Sequence, residues 1–289
     1  MTLDVRADAE RLAGVALAED GPRDITSDLT VASGVAGRGI LLFKSPGVLA
    51  GTAYADAVAR LCECECEWRV EEGGRIAGGA VAGVVTGTLA AILRAERPLL
   101  NLLQRASGIA TAARAYADAV EGTGARILHT RKTAPGLRLL DVSAALAGGA
   151  ALHRLDLATT VMVKDNHWHA LESRGGSLAG ALETAAQLGV RGLQVEVESE
   201  AQVRTACSAG ATRLLIDNQT PETVGAWAAV ARAAAPGIEI EATGGITLEN
   251  VRRYAEAGAD WISVGALTHS VRSADISLDL SPDTASAAG

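Results

Sequence analysis

Cationic side chains cluster in one part of an otherwise acidic chain. The formal net charge of the 289 residues is −8, and Lys44, Lys132 and Lys164 are the only lysines. Lys132 lies beside Arg131 in the stretch HTRKTAPGLR, which follows a short apolar run, and Lys164 follows a second apolar run. Arg154 lies between these two stretches. Arginine offers a planar fork suited to carboxylates and lysine a compact charge suited to phosphates, so the cluster predicts a multiply anionic ligand.

Acidic residues and glycine-rich turns follow other apolar runs of the chain. Glu196 lies in LQVEVE, and Asp217 ends the run TRLLID. Carboxylates are hard oxygen ligands that suit Mg²⁺, an ion that keeps several waters and bridges to phosphates. The turn TGGIT, with Thr243 and Gly244, could hold a phosphate on its N–H groups, although a plain turn fits the same letters. VGALTHS offers a second such turn. These residues predict an enzyme for a phosphate-bearing substrate, with Mg²⁺.

The elements that must position these residues alternate between strands and helices. From about residue 125, apolar runs read ARILHT, TVMVKD, LQVEVE, TRLLID, IEIEAT and DWISVG, and Ala-rich helical stretches separate most of them. Repeated β-then-α units predict a parallel sheet with right-handed crossovers. At least six strands without a dinucleotide fingerprint favour a (β/α) barrel, and the segment is short for an eight-fold barrel, so we expect six or seven strands. Polar residues follow nearly every run, as expected if an active site lies at the carboxyl ends of the strands. An open doubly wound sheet is the alternative.

The first part of the chain has a different pattern. Residues 1 to about 110 mix helices with short strands around glycine-rich turns, and a long helical stretch follows in which Pro98 is expected in a first turn. In LCECECEW, Cys62, Cys64 and Cys66 alternate with glutamates. This period predicts a half-buried strand with the thiols on the core face, rather than a metal site.

Composition excludes several classes of protein. The chain is 48% hydrophobic and 21% charged, which is typical of a globular protein. It has no apolar run of membrane-helix length and no signal-like start, so we expect a cytoplasmic protein. The acidic balance, without a basic stripe, argues against a nucleic-acid partner.

Six stretches of the second half resemble one known family. They are HTRKTAPGLR, HRLDLATTVMVKDNH, VEVES, LLIDN, EATGGIT and GADWISVGALTHSVRSADISLDL. In the first half EDGPRDITSDLT, GVLAG and AERPLLNLLQRASGIAT look similar to the same family. It is the quinolinate phosphoribosyltransferase family, the carboxylating nicotinate-nucleotide pyrophosphorylases of NAD biosynthesis. The resemblance covers nearly the whole chain in the same order.

The resemblance implies a fold, an assembly and a reaction. The fold would be an N-terminal α/β sandwich domain, residues 1–110 joined by the C-terminal segment 271–289, and an open (β/α) barrel, residues 111–270. The assembly would be a homodimer in which the partner's N-terminal domain completes each barrel mouth. The reaction would be Mg²⁺-dependent transfer of phosphoribosyl from phosphoribosyl pyrophosphate to quinolinate. Its products would be nicotinate mononucleotide, pyrophosphate and CO₂.

The resemblance also implies roles for individual residues. Lys132 and Lys164 would contact phosphoribosyl pyrophosphate, with Lys164 also reaching quinolinate, and Glu196 and Asp217 would lie near the ribose and the metal. The remaining substrate-binding residues would be Arg97 (from the partner subunit), Arg131, His153 and Arg154 for quinolinate, and Thr243, Gly244, Gly265 and His269 for phosphates. Arg138 and Asn166 would support them.

The chain departs from the family pattern at a few positions. His129 replaces an aspartate, Leu152 an asparagine before the His-Arg pair, and Gln194 an acid. These departures leave two alternatives: a paralogous phosphoribosyltransferase for another pyridine or aromatic acid, and a non-catalytic ligand-binding paralogue. The second predicts loss of the acids or the cations, and both sets are present.

Overall fold

The computed structural model describes residues 3–190 and 192–282. Their helices are α1 (Arg6–Glu19), α2 (Ile25–Thr30), α3 (Thr52–Leu61), α4 (Leu89–Ala119), α5 (Arg138–Ala147), α6 (Asp165–Ser173), α7 (Leu178–Gln187), α8 (Glu200–Ser208), α9 (Pro221–Ala234), α10 (Val251–Glu256) and α11 (Ala266–His269). Their strands are β1 (Ala36–Phe43), β2 (Gly47–Val48), β3 (Glu65–Trp68), β4 (Arg75–Ile76), β5 (Val81–Thr88), β6 (Arg126–Leu128), β7 (Val161–Val163), β8 (Leu193–Val197), β9 (Arg213–Asp217), β10 (Glu239–Thr243), β11 (Trp261–Ser263) and β12 (Ile276–Pro282).

The chain divides into two compact units. The first contains the described parts of 1–114, 133–149 and 267–289, and the second contains those of 115–132 and 150–266. The boundary between these units at 114/115 and the boundary near residue 110 expected from the sequence both fall inside the continuous helix α4. The segment 133–149, which the sequence analysis placed in the barrel domain, lies in the first unit.

A four-stranded antiparallel sheet is the centre of the first unit. Its strands lie in the order β12-β1-β5-β3. The C-terminal strand β12 pairs with β1 from Phe43↔Ile276 to Gly37↔Pro282. Apolar side chains of α3 and α4 are buried, among them Val58, Leu99 and Leu103. The last described residues of the chain are thus part of the sheet of this unit.

A buried ion pair joins α4 and α5 within the first unit. The Arg105 guanidinium donates two hydrogen bonds to Asp141, of 2.7 Å from Nε and 2.8 Å from Nη2. Asp141 is fully buried, and its Oδ2 also accepts the N–H of Ala134 at 3.3 Å. A forked arginine–carboxylate pair of this kind fixes both direction and distance. It therefore holds the chain two residues after Lys132.

A six-stranded parallel sheet is the centre of the second unit. Its order is β6-β11-β10-β9-β8-β7, and every neighbouring pair is parallel. An isolated bridge, Leu128↔Ala151, extends it at β6. Among the described residues β6 and β7 do not pair with each other, so the sheet remains open there. The fold class expected from the sequence is confirmed, with six strands.

Strand periodicity determines which side chains of this sheet face the same way. Val195 and Val197 of β8, and Ile240 and Ala242 of β10, are fully buried. Between them Glu196 and Glu241 point to the other face, because successive side chains of a strand alternate. Since all six strands are parallel, their carboxyl ends lie at one edge of the sheet, where polar residues that follow each strand can meet.

Two local predictions from the sequence were wrong. Pro98 lies inside α4 instead of in its first turn, because buried neighbours such as Leu99 stabilise a helix that lacks one hydrogen bond. The strand expected to start at Cys62 begins only at β3, after Glu63 adopts a positive φ of 58°. Helix α6 begins at Asp165, directly after β7 and Lys164. The burial of Cys62 and Cys64 agrees with the prediction.

None of the helices formed by residues 3–190 and 192–282 has the length and apolar character that crossing a membrane requires.

Two helix-interior glycines make a matched test of the first unit. A Cβ on Gly108 of α4 would lie 2.2 Å from the Arg272 carbonyl oxygen, whereas a Cβ on Gly14 of α1 would have nothing within 4 Å. Both changes to alanine gain helix propensity, up to about 1 kcal/mol. We expect Gly108→Ala to lower the free energy of unfolding by about 1–3 kcal/mol through overpacking, and Gly14→Ala to leave or raise it. Thermal unfolding checks both, and an equal response of the two variants would contradict the close approach.

Candidate active site

Two arginines lie close together just after β6 and after the bridge at Ala151. Burial lowers the pKa of Arg154, and the neighbouring charge of Arg131 lowers it further. Arg131 Nε is buried and makes no hydrogen bond to any of the described residues. An anion that accepts hydrogen bonds from both guanidinium groups would offset their repulsion and give the Arg131 Nε a partner. The arrangement can therefore bind a ligand with more than one negative group.

A lysine and a glutamate form an ion pair between β7 and β8. Lys164 Nζ contacts Glu196 Oε2, and the exposed fractions of the two side chains are 42% and 8%. Two contacts with α6 hold this pair: His167 Nδ1 accepts the N–H of Lys164 at 3.0 Å, and Trp168 Nε1 donates to the Glu196 carbonyl at 2.9 Å. The helix that starts directly after Lys164 thus fixes the direction of both charged residues.

Acidic groups crowd together beside this ion pair. The pKa of Asp217, at the end of β9, is raised by burial and by the charge of Glu196, with a smaller contribution from Glu198. Lys164 and Lys132 act in the opposite direction, so these two lysines and three acids share one region. The described residues contain no group of three or more Asp, Glu, His or Cys side chains arranged to hold a metal by themselves. Two carboxylates under mutual repulsion still fit Mg²⁺, which commonly takes one or two protein oxygens and completes its shell with water and substrate phosphates.

The turn after β10 is fixed by a close backbone approach. Gly244 and Gly245 have positive φ angles of 81° and 62°. A Cβ on Gly244 would lie 2.2 Å from Asn218 Oδ1. Asn218 itself has a φ of 53° and donates its N–H to the Thr243 carbonyl at 2.9 Å. The neighbouring exits of β9 and β10 are thus packed into one turn that only glycine permits at position 244.

Two histidines support the backbone at Arg154. His129 is fully buried, and its Nε2 accepts the N–H of His153 at 3.0 Å. His153 Nδ1 in turn accepts the N–H of Arg154 at 2.8 Å. Burial is the main cause that lowers the pKa of His129 to about 4, so its ring is neutral at neutral pH and able to accept. The His129 ring therefore holds the N–H of His153, and the His153 ring holds the N–H of Arg154.

The structure brings most of the predicted site residues into one unit. The second unit contains Arg131, Lys132, His153, Arg154, Lys164, Asn166, Glu196, Asp217, Thr243, Gly244 and Gly265. Arg97, Arg138 and His269 belong to the first unit. Arg97 and His269 are exposed, with the His269 ring 2.7 Å from the Ser270 hydroxyl, and Arg138 Nε donates to the Thr133 hydroxyl at 3.4 Å.

Comparison with known proteins identifies one family over most of the chain. The family model described as Quinolinate phosphoribosyl transferase, C-terminal domain, matches residues 109–279, and the corresponding N-terminal domain model matches residues 24–107. The chain belongs to the quinolinate phosphoribosyltransferase family.

Named relatives and solved structures agree with that membership. Nicotinate-nucleotide pyrophosphorylase [carboxylating] of Homo sapiens is 40% identical over 92% of this chain and 91% of its own length. The Mycobacterium leprae protein of the same name is also 40% identical, over 89% of this chain and 91% of its own. The structure of the nicotinate-nucleotide pyrophosphorylase from Francisella tularensis is similar with a TM-score of 0.88 and 28% identity, over 96% of this chain and 97% of that one.

The departures from the family pattern can now be placed. His129 has the acceptor role described above, which an aspartate could also fill. Gln194 is buried in β8 beside Met162 and Arg213, and its Oε1 has no hydrogen-bond partner among the described residues. Leu152 is partly buried. His129 thus supports the backbone that carries Arg154.

Sequence reasoning missed several polar residues that contact the predicted ones. They are Trp168, which donates to the Glu196 carbonyl, and Glu241, which lies beside His153 and in turn contacts Arg213 and Ser263. A charged residue inside an apolar strand was the available signal for Glu241, since IEIEA places it between Ile240 and Ala242. An acid at such a position is rarely fully buried unless it is paired.

The depressed pKa of His129 predicts a pH-dependent stability. Its pKa is about 4 in the folded protein against an ordinary 6.5, so the unfolded chain binds more protons between these values. Stability therefore falls as the pH falls from about 6.5 to about 4, by roughly 3 kcal/mol from this residue. His129→Gln, which keeps an acceptor but cannot titrate, should remove that part of the loss.

Urea unfolding at several pH values between 4 and 7 measures this difference. The exposed His169→Gln is the matched control and should retain the pH dependence of the unchanged protein. If His129→Gln retains it as well, His129 is not buried in neutral form.

Proposed function

We propose that this chain catalyses Mg²⁺-dependent transfer of phosphoribosyl from phosphoribosyl pyrophosphate to quinolinate, with loss of CO₂ and pyrophosphate, to give nicotinate mononucleotide. Family membership and the activity for which the relatives are named support the reaction class. The observation that carries the choice of acceptor is the close pair of Arg131 and Arg154 with an unsatisfied donor. Quinolinate bears two adjacent carboxylates, and two forked cations in a partly desolvated site suit such a pair.

Charge development in the reaction explains the division between cations and acids. When the ring nitrogen attacks, positive charge grows at C1 of the ribose and negative charge on the departing pyrophosphate. Glu196 and Asp217 can oppose the first charge, and Lys132 and Lys164 the second, where each forms. After transfer, the pyridinium nitrogen stabilises the carbanion left when the 2-carboxylate departs as CO₂. No nucleophilic side chain is needed.

Glu196 and Asp217 are also the residues that would hold Mg²⁺. When bound, the ion would supply neutralisation of the pyrophosphate oxygens. Lys164, which is paired with Glu196, would gain substrate anions as additional partners. The raised pKa of Asp217 is consistent with a position that favours an added positive charge.

The glycine turn supports the phosphate end of the donor. Thr243 and Gly244 lie in the tight turn after β10, where Asn218 leaves no room for a Cβ on Gly244, and Gly265 follows β11 at the same edge of the sheet. Such turns hold phosphates well. We retain His269 and Arg97 as expected phosphate and quinolinate ligands from the family resemblance, and Arg138 and Asn166 as supporting residues.

Another pyridine or aromatic acid remains the second candidate acceptor. Gln194 favours this candidate. It replaces an acid of the family pattern, and its buried Oε1 has no hydrogen-bond partner among the described residues, so the polarity of the sheet interior differs there. A ligand-binding paralogue is less well supported, since the cations and acids are all present.

The reaction can be tested directly with purified protein. With phosphoribosyl pyrophosphate and Mg²⁺, we expect carboxyl-labelled quinolinate to release CO₂ and yield nicotinate mononucleotide, and nicotinate to give no turnover. Removal of Mg²⁺ with EDTA should lower the rate by at least about tenfold, with recovery on adding Mg²⁺ back. Turnover of another acid but not of quinolinate would overturn the acceptor, and turnover of neither would favour the binding paralogue.

A matched pair of lysine variants controls this assay. Lys132→Ala should lose about a hundredfold or more in kcat/KM, as expected for a group that stabilises transition-state charge. Lys44→Ala removes the exposed lysine directly after β1 and should leave kcat/KM unchanged.

A homodimer with shared active sites and a cytoplasmic location complete the proposal. Both rest on the family resemblance and the composition of the chain. If Arg97 acts in the partner's site, mixing an Arg97→Ala subunit with a Lys164→Ala subunit should restore activity to some sites, up to about a quarter of them by random pairing. Verified heterodimers without any recovery would contradict the shared site.

A further inference from the structure

Glu241 is a buried acid that the proposed reaction does not use. It lies in the middle of β10, is 1% exposed, and stands among the apolar residues of the parallel sheet. Burial opposes its ionisation, but His153, Ser263 and Arg213 together hold the pKa of its carboxyl below the ordinary value. A charge this deep is retained only where its partners are well placed.

The contacts of Glu241 divide between its two oxygens. Oε1 accepts the Ser263 hydroxyl at 2.6 Å. Oε2 lies 3.3 Å from Arg213 Nη1 and 3.4 Å from His153 Nε2. Arg213 is shared, since its Nε also donates to Glu239 at 2.8 Å. The Arg213 guanidinium therefore contacts two carboxylates, so it neutralises the Glu241 carboxylate only in part, and Oε2 of that carboxylate faces the His153 ring.

The two nitrogens of His153 have different partners. Nδ1 accepts the N–H of Arg154 at 2.8 Å, so in this geometry Nδ1 carries no proton. Nε2 is buried, makes no aligned hydrogen bond to the described residues, and has the Glu241 carboxylate as its nearest charged neighbour. A carboxylate beside Nε2 favours the tautomer with the proton on that nitrogen. That tautomer is the one that leaves Nδ1 free to accept from Arg154.

We propose that Glu241 is a positioning residue that acts through His153: it selects the Nε2–H tautomer, and the ring then holds the backbone of Arg154 so that its guanidinium faces the acceptor. The kinetic part of this inference rests on the proposed function, whereas the tautomer does not. It also gives His153, whose side chain is only 7% exposed, a role other than direct contact with the substrate.

The test compares Glu241→Gln with Glu239→Gln. Both changes remove a carboxylate from Arg213, but only Glu241 faces His153. A glutamine amide at 241 can donate to Nε2, which would move the proton to Nδ1 and set two donors against each other at Arg154. We expect Glu241→Gln to raise KM for quinolinate about tenfold, the effect of a lost buried hydrogen bond, with KM for phosphoribosyl pyrophosphate and kcat within about twofold. Glu239→Gln should change none of the three by more than about twofold.

A spectroscopic measurement examines the tautomer without relying on activity. The ¹⁵N shifts of the imidazole nitrogens, assigned by comparison with His153→Gln, should report Nε2–H in the unchanged protein and in Glu239→Gln. In Glu241→Gln the His153 signals should move towards the Nδ1–H form. If the unchanged protein does not use quinolinate, the proposed function fails, and these shifts still decide the role of Glu241.

Three results would overturn the inference. The first is unchanged His153 shifts in Glu241→Gln, and the second is an equal rise in quinolinate KM in Glu239→Gln. The third is a further tenfold rise in quinolinate KM when Glu241→Gln is added to His153→Gln, because the effects of residues that act through one another should not add. If Glu241→Gln does not fold, Ser263→Ala loosens the same carboxylate. It should shift the His153 signals in the same direction with a KM increase of about threefold, and unchanged shifts there would equally overturn it.

Discussion

The parallel register of six short strands is the constraint on which the candidate site depends. Each strand pairs with its neighbours in one direction, so every carboxyl end reaches the same edge of the sheet. A shift of one residue in β8 would turn Glu196 towards the helices and bring a valine to the site. Backbone pairing of the strands therefore determines the positions of the lysines, acids and glycine turns, independently of contacts between their side chains.

Like charges lie close together at this edge of the sheet. Arg131 acts on Arg154 and Glu196 acts on Asp217, while Lys164 forms an ion pair with Glu196. Repulsion destabilises both the arginine pair and the acid pair, because like charges in a partly buried site are costly. Such an arrangement stabilises a ligand that brings anionic groups to the arginines and cationic character to the acids. This is the charge pattern of a phosphoribosyl transfer to a dicarboxylate.

Support for the site comes from side chains that contact the site residues from behind. His129 and His153 hold successive N–H groups, Glu241 stands behind His153, and Trp168 holds the carbonyl of Glu196. Helix α6, which begins directly after Lys164, has an equivalent role for the lysine. In the first unit the fork of Arg105 on Asp141 fixes the chain that follows Lys132. Precise placement thus depends on contacts between side chains and the backbone that carries the candidate site residues.

The sequence by itself determined the fold class, the six strands, the family and the set of chemically capable residues. These follow from local patterns: apolar runs, strand exits rich in polar residues, and motifs such as RKT and KDNH. Only the tertiary structure decided that His129 is an acceptor for a backbone N–H, that Pro98 lies inside a helix, and that Glu241 faces His153. Each of these depends on partners distant in sequence, and burial changes what a residue does: a histidine becomes neutral, a proline is tolerated, and an acid must find cations. Periodicity indicates which face a side chain lies on, but its partner is determined by packing.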